Sequence, residues 1–319
     1  MNGWRRIVQV GSILAAIGVG AVLGLLDPTS LQGGAGWSVV VLAVLWGYGA
    51  ALERLLRIRI GLGEQLVLGT AVFVLLGGWL LAFGVASTVP LFVVAGGGVA
   101  LALVELVRRA RLPVANASPI SGDRRLALWL LGGALVAYLT ITLLGEVAGR
   151  GNPFDDHVAY TAFVKRMLDC GDLIEPFSFR RVSAYGGQTV LLALAALRGD
   201  VESTGLLDRG VFAWVVALVV LDLARKRRLH LGVIAMVMIF LFTLRDLSSN
   251  SASAWTGLAC FLAAYGFATN PDLTPRTSLL LVFATCATAC TLRQNYLVPA
   301  GLFAALMLVA HVRARRTST

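Results

Sequence analysis

The chain has 319 residues, of which 58% are hydrophobic and 14% charged, against about 25% charged residues in an ordinary soluble domain. A chain with so little charge cannot cover a water-facing surface, so its composition excludes a soluble globular protein and indicates that lipid is the solvent. The formal net charge of +10 requires no nucleic-acid partner. Arginines gather at the ends of apolar runs, as cytoplasmic membrane anchors do.

The apolar runs are continuous rather than alternating, and several reach the roughly 20 residues that cross a bilayer as a helix. The run that follows Arg5 and Arg6 is too long for the core of a cleaved signal peptide, so it is predicted to be the first membrane span. The sequence predicts an all-α polytopic membrane protein of about ten transmembrane helices. The predicted spans lie near 7–26, 36–52, 65–84, 89–107, 126–146, 210–224, 230–244, 252–268, 278–292 and 296–312.

The distribution of arginine predicts how these spans are oriented. Basic residues recur after every second span, which places both termini in the cytoplasm and residues 147–209 outside the bacterial inner membrane. Residues 1–125 form an N-terminal four-helix membrane block, and residues 126–319 form a core that carries the extracytoplasmic segment 147–209. This segment holds nearly half of the acidic residues of the chain.

Two interfacial amphipathic helices are predicted within 147–209. The first covers about 157–170, because Tyr160, Phe163, Val164, Met167 and Leu168 form one apolar stripe and Gly171 is a natural stop. The second covers about 188–198, with Val190, Leu191, Leu194 and Leu197 facing one way, and ends at Gly199. Helices of this kind lie at a membrane surface beside the spans. Among the four cysteines there is no disulfide or metal spacing, and Cys170 alone falls in the polar segment.

Adjacent carboxylates, Asp155 and Asp156, stand at the start of the first of these helices. One interpretation is capping, since a carboxylate accepts amide hydrogen bonds from a first helical turn. The other is a general base or a divalent metal site for Mg²⁺ or Mn²⁺, because two like charges this close raise the pKa of at least one carboxyl. The two interpretations are compatible. His157 beside them is either a polar bystander or a ligand.

Three arginines near the same face also admit two interpretations. Arg180 and Arg181 follow the acidic pair in the polar segment, and Arg293 stands at a turn between two apolar helices, beside Gln294 and Asn295. A guanidinium at a membrane boundary either anchors the chain to lipid head groups or binds a phosphate bidentately. An ionisable residue at such a position is a candidate for a functional site.

The order of these features resembles membrane glycosyltransferases of the GT-C fold class, including the protein mannosyltransferases, the lipid A aminoarabinose transferases and the bacterial RgtA/B/C/D-like relatives. In that class a large periplasmic loop carries an acidic pair, interfacial helices and an arginine at the head of the next span. The resemblance covers about 126–312. The matching residues are Asp155-Asp156, the helix to Gly171, Pro176-Phe177, Arg180-Arg181, Gly186-Gly187-Gln188, Gly199, Arg209 and Thr291-Leu292-Arg293-Gln294-Asn295.

What the resemblance implies is sugar transfer from a polyprenyl-phosphate donor in the lipid bilayer to a glycan, lipid or protein acceptor of the cell envelope. Asp155 or Asp156 would be the catalytic base or hold a metal. The donor phosphate would be bound by Arg293 with Arg180 or Arg181. His157, Gln188 and Asn295 would contact the substrate.

The chain also departs from the family pattern, which leaves other functions open. Four helices precede the acidic segment, and the family's Lys-Pro-Pro is absent near Gly186. The additional helices or soluble C-terminal domain common in the class are not expected after Arg316. A non-catalytic GT-C-like relative is therefore one alternative. A membrane transporter or lipid flippase is another, although such proteins place ionisable residues or broken helices at mid-depth, and the predicted spans are almost purely apolar there.

Overall fold

The computed structural model describes residues 2–111, 122–148, 160–173, 186–201, 204–243 and 253–316. Throughout these residues the regular structure is helical and contains no strand. A π-helical turn, Leu206–Val211, precedes α8, and a 3₁₀ turn, Gln294–Tyr296, precedes α12. The helices are α1 (Asn2–Leu26), α2 (Leu31–Leu55), α3 (Leu62–Ala82), α4 (Thr88–Arg111), α5 (Gly122–Ala148), α6 (Ala162–Cys170), α7 (Gly187–Ala196), α8 (Phe212–Lys226), α9 (Leu231–Thr243), α10 (Ala254–Ala268), α11 (Pro275–Leu292) and α12 (Leu297–Arg316).

Four of these helices, α2, α3, α4 and α11, are long and apolar enough to cross a membrane. Six further apolar helical stretches of 10–17 residues lie within the part of the chain whose side chains the structure describes. Within the described residues the prediction of an all-α protein is thus confirmed, and four helices are candidates for membrane spans. About ten crossings stays a prediction.

Helix α2 shows how local sequence sets the ends of an element. Ser30 caps its start, and the Ser30 Oγ accepts a hydrogen bond from the Gly33 amide at 2.9 Å. Past its end, Arg57 adopts a left-handed conformation with φ 53°, and the Ile58 amide donates back to the Glu53 carbonyl at 3.1 Å. This pairing satisfies carbonyls that the last helical turn would otherwise leave free.

Close helix contacts in the first half depend on glycine. A Cβ atom at Gly69 of α3 would lie 1.6 Å from the Leu45 carbonyl oxygen of α2. A Cβ atom at Gly47 of α2 would lie 1.9 Å from the Gly98 carbonyl oxygen of α4. Small residues let membrane helices approach until their backbones touch, which gains dispersion energy where lipid supplies no hydrophobic drive.

Helix α3 joins the first four helices to the rest of the bundle. At its start, Gly63 packs against the backbone at Val219 of α8. Near its end, Gly77 packs against Val190 of α7. Most buried apolar side chains of both halves form one continuous hydrophobic core, which contains the fully buried Phe73 of α3. The residues predicted as two blocks therefore share a core.

The two short helices of the polar segment behave differently from each other. Helix α6 buries four residues of the predicted apolar stripe, Phe163, Val164, Met167 and Leu168, and exposes its other face. The fifth, Tyr160, lies before the helix and is half-buried. The sequence predicts that α7 is amphipathic and interfacial, and this prediction is wrong, because every residue of Gly187–Ala196 is buried. The Trp37 Nε1 donates to the Leu194 carbonyl at 2.9 Å. Helix α7 is apolar on all sides, and such a helix is stable inside a protein rather than on its surface.

The connections between helices gather at two ends of the bundle, here called the basic end and the loop end. The basic end comprises Glu53–Ile60, Glu105–Arg109, Asp222–Leu229 and Asn270–Thr274. There the buried Glu105 accepts hydrogen bonds from the guanidinium groups of three arginines, and the Lys226 Nζ pairs with Glu64 at 2.6 Å. The three arginines are Arg54, Arg108 and Arg109.

The loop end comprises Asp27–Ser30, Phe83–Ser87, Gly171–Leu173, Gly186, Leu197–Val201 and Arg293–Tyr296. The Ala86 amide donates to the Gly171 carbonyl at 2.8 Å, which ties the connection between α3 and α4 to the end of α6. Gly199 after α7 faces Pro28. Connections that the arginine pattern assigns to one side of the membrane therefore lie together at one end.

Candidate functional site

Arg293 lies at the loop end, where α11 stops. Its backbone is extended, with φ −160° and ψ 140°, so the α-helical hydrogen bonding ends at Leu292 and a 3₁₀ turn follows. The side chain is half-buried, and its Nη2 donates a hydrogen bond to the Tyr160 hydroxyl at 3.2 Å. Tyr160 lies two residues before α6 begins, so this contact joins the entry to the first polar-segment helix to the end of α11.

The charge of Arg293 is not neutralised within the described residues. No carboxylate there forms an ion pair with it, whereas Arg54, Arg108 and Arg109 at the basic end all pair with Glu105. Moving a cation partly out of water is unfavourable unless an anion or hydrogen-bond acceptors compensate. Arg293 is therefore the described cation best suited to receive an external anion at the loop end.

Tyr296 fixes the turn that follows Arg293. Its hydroxyl donates to the Ser253 carbonyl at 2.8 Å, and its ring meets the ring of Phe261 edge-on at 5.7 Å between centroids. The ring also covers Gly257, where a Cβ atom would lie 2.3 Å from the ring. The absence of a side chain at Gly257 thus lets the start of α12 rest on the start of α10.

Asp208 is a buried carboxylate at the same end, and sequence reasoning did not find it. One oxygen accepts from the Thr256 amide at 2.8 Å and from the Thr256 Oγ1 at 2.6 Å, and the other accepts from the Trp255 amide at 3.1 Å. Asp208 caps α10 from a distant part of the chain and meets the positive end of its dipole. Burial raises the pKa of Asp208 to about 6, although the bonds from Thr256 and Trp255 act in the opposite direction.

The role of Asp208 is structural, because both of its oxygens are engaged by α10 and the residue is 1% exposed. The signal in the sequence was an acidic residue beside Arg209 at the head of a predicted span. Its partners lie 47 and 48 residues further along the chain, so local sequence carried no sign of them.

Helix α7 begins beside the last turn of α11. A Cβ atom at Gly187 would lie 2.3 Å from the Thr291 Oγ1. Gln188, a predicted substrate contact, is 1% exposed in this contact zone. Asn295, another predicted substrate contact, is exposed in the turn after Arg293. Of these two amides, only that of Asn295 is open to a ligand in this arrangement.

Five of the predicted site residues lie outside the described residues: Asp155, Asp156, His157, Arg180 and Arg181. The base, the metal site and two of the three phosphate contacts therefore stay predictions. Within the described residues, no group of three His, Cys, Asp or Glu side chains is placed to hold a metal ion. The structure brings Arg293 together with Tyr160, and places Asn295, Gln188 and Asp208 at the same end of the bundle.

No protein-family model, no curated protein sequence and no solved structure matches this chain. The functional proposal accordingly stands on the chemistry of these residues.

Proposed function

We propose that the chain is an integral membrane glycosyltransferase, which moves a sugar from a polyprenyl-phosphate donor to an acceptor of the cell envelope. The observation that carries the proposal is the environment of the Arg293 side chain. It is a half-buried cation at the loop end, held by the Tyr160 hydroxyl and without a carboxylate partner among the described residues. A guanidinium in this state suits a phosphate that arrives from the lipid side.

The chemistry of transfer needs a cation at that place. When the acceptor oxygen attacks the anomeric carbon, the bond from that carbon to the phosphate oxygen breaks, and polyprenyl phosphate leaves with the bonding electrons. Negative charge develops on the leaving oxygen, and a positioned cation stabilises it. Arg293 supplies this charge, and Arg180 and Arg181 are the proposed further contacts to the phosphate. Displacement in a single step inverts the anomeric centre.

The acceptor hydroxyl must lose its proton as it attacks. Asp155 or Asp156 is the proposed base, since a carboxylate next to a like charge holds a proton more readily than an isolated one. Alternatively, Asp155 and Asp156 would hold a divalent metal ion, which would lower the pKa of the acceptor hydroxyl. Asp156 stands four residues before Tyr160, and four residues of chain reach about 14 Å at most. The contact between Tyr160 and Arg293 therefore supports a shared site.

The distribution of buried charge favours this enzyme over a transporter. In the described residues, the buried charged side chains lie toward the two ends of the bundle: Glu64 and Glu105 at the basic end, and Arg198 and Asp208 toward the loop end. Between the ends, buried hydroxyls such as that of Thr285 bond to their own helix. Transporters place ionisable residues and broken helices at mid-depth.

The proposed membrane arrangement has ten crossings, with the basic end and both termini in the cytoplasm. The loop end then faces outward, and the acceptor reaches the site from the extracytoplasmic side. The concentration of arginine at one end of the bundle supports this orientation, because cytoplasmic loops carry an excess of basic residues.

A transfer assay in membranes with polyprenyl-phosphate sugars tests the proposal. Arg293→Gln is compared with Arg276→Gln, which removes an exposed arginine from the opposite end of the same helix. We expect Arg293→Gln to lower transfer about 100-fold or more at equal expression, as loss of a group that stabilises transition-state charge does. Arg276→Gln is expected to match the wild type.

The acidic pair is tested in the same assay. Asp155→Asn and Asp156→Asn remove one carboxylate each and keep its size. Loss of the base is expected to lower transfer about 100-fold or more in at least one of them. Full activity of both variants would contradict the base assignment, and full activity of Arg293→Gln would contradict the proposed phosphate site.

A further inference from the structure

Helices α8, α9 and α10 enclose a cleft of about 450 Å³ at the basic end of the bundle. Its size falls within the range of about 300–1,000 Å³ that is usual for small-molecule sites. The cleft is open on one side, and its lining is apolar apart from one charged residue, Arg227. The lining residues are Val220, Leu223, Ala224, Arg227, Leu229, Ile234, Val237, Leu262 and Tyr265.

The cleft exists because α9 is attached to the bundle along one side only. In the described part of the chain, α9 packs mainly against α8. Its outward residues are widely exposed, with Met236 and Ile239 each 64% accessible. Helix α9 therefore presents an exposed apolar outer face, and the space between it and α10 opens toward the same side.

Positive charge is concentrated where the cleft reaches the basic end of the bundle. The Arg227 guanidinium lies 5.8 Å from the centre of the Tyr265 ring, an arrangement that holds the cation over the aromatic face. Arg227 belongs to the exposed run Arg225-Lys226-Arg227-Arg228. Within the described residues, no carboxylate forms an ion pair with Arg227. An apolar cleft with a cation at one end is complementary to a molecule that has a hydrocarbon chain and an anionic head group.

We propose that the cleft binds one anionic phospholipid, with an acyl chain along α9 and the phosphate on Arg227. Charge complementarity distinguishes this occupant from a zwitterionic lipid, because each basic residue near a membrane surface favours an anionic head group by about fivefold in binding. The site lies at the opposite end of the bundle from Arg293. It is independent of the proposed sugar transfer and of the direction in which the bundle is inserted.

Native mass spectrometry of the purified full chain, with phosphatidylglycerol or phosphatidylcholine added in detergent, tests the proposal. The wild type is expected to retain one phosphatidylglycerol in preference to phosphatidylcholine. Arg227→Gln removes the cation and is expected to lower retention of phosphatidylglycerol about fivefold, to the level of phosphatidylcholine. Val237→Trp fills the cleft and is expected to abolish retention of both lipids.

Two matched variants control for charge and for bulk. Arg228→Gly removes a neighbouring charge that does not line the cleft, at a position with φ 52° where glycine is unstrained. Met236→Trp adds the same bulk as Val237→Trp on the outer face of α9. Both are expected to retain lipid as the wild type does, and all variants are checked for an unchanged melting temperature.

Several results would overturn the proposal. Equal retention of the two lipids by the wild type, or unchanged retention by Arg227→Gln, would remove the head-group assignment. Unchanged retention by Val237→Trp would place the lipid elsewhere. A wild-type dimer that Val237→Trp converts to a monomer would show that a second copy of the chain occupies the cleft instead.

Discussion

The Arg293 guanidinium donates a hydrogen bond to the Tyr160 hydroxyl at 3.2 Å, across 133 residues of sequence. The phenol oxygen accepts one N–H group and fixes the direction of the planar guanidinium, while the remaining N–H groups have no carboxylate partner in the described residues. A cation that is oriented in this way and not neutralised can receive a phosphate without first breaking an ion pair. In the proposed reaction Tyr160 is a positioning residue, because it acts through Arg293.

Tyr160→Phe removes the acceptor of this hydrogen bond and keeps the ring. A hydrogen bond to a charged group contributes about 1.5–3 kcal/mol, so we expect sugar transfer to fall about tenfold or more, and less than in Arg293→Gln. The KM for the polyprenyl-phosphate donor and the kcat are measured in membranes. The control is Tyr138→Phe, which changes an exposed tyrosine of α5 and is expected to leave the rate of sugar transfer unchanged. An unchanged rate in Tyr160→Phe would show that Arg293 needs no orientation.

The Asp208 cap predicts a large effect on stability. Asp208→Ala leaves the amides of Trp255 and Thr256 buried without an acceptor, so we expect the free energy of unfolding to fall by about 2–3 kcal/mol. Asp272→Ala removes an exposed carboxylate near the other end of α10 and is expected to change the free energy of unfolding by less than about 0.5 kcal/mol. Thermal unfolding in detergent compares the two. Equal melting temperatures would mean that Asp208 does not support α10.

Glycine contacts predict a contrast within one helix. In Gly69→Ala the new methyl group would clash with the Leu45 carbonyl oxygen, so α2 and α3 must separate. We expect the free energy of unfolding to fall by about 1–3 kcal/mol. A methyl group at Gly78 would have no neighbouring atom within 4 Å, so Gly78→Ala is expected to be neutral or more stable by up to about 1 kcal/mol. Melting temperatures in detergent report both changes. A lower melting temperature in Gly78→Ala together with an unchanged melting temperature in Gly69→Ala would contradict this packing.

The proposed orientation predicts the reactivity of Cys170. Its thiol is exposed at the loop end of α6, whereas Cys260 and Cys286 are buried. In a Cys290→Ser background, a membrane-impermeant maleimide applied to intact cells should label the chain, and the further change Cys170→Ser should abolish labelling. Labelling that appears only after the membrane is permeabilised would place the loop end in the cytoplasm and remove access to envelope acceptors.

Helix positions were largely predictable from the sequence, because the signals that set them are local. Continuous apolar runs predict the long helices, Ser30 caps α2 from one residue away, and Gly171 ends α6 in a left-handed conformation with φ 80°. Four of the five residues predicted for the apolar stripe of α6 are buried as periodicity alone indicated, since residues three and four apart share one face of a helix. The described basic clusters after α2, α4 and α8 lie at the opposite end of the bundle from α6 and α7, while the side of the membrane that each end faces stays a prediction.

Only the tertiary structure determined the contacts between residues that are distant in the sequence. Periodicity gave α7 one apolar side, but only packing against α3, α6 and α11 shows that the helix is buried all round. Asp208 caps a helix that begins 46 residues later, and Arg293 meets Tyr160 across most of the second half of the chain. Such pairings depend on which helices lie side by side, and hydrophobic association is non-directional, so composition alone does not specify them.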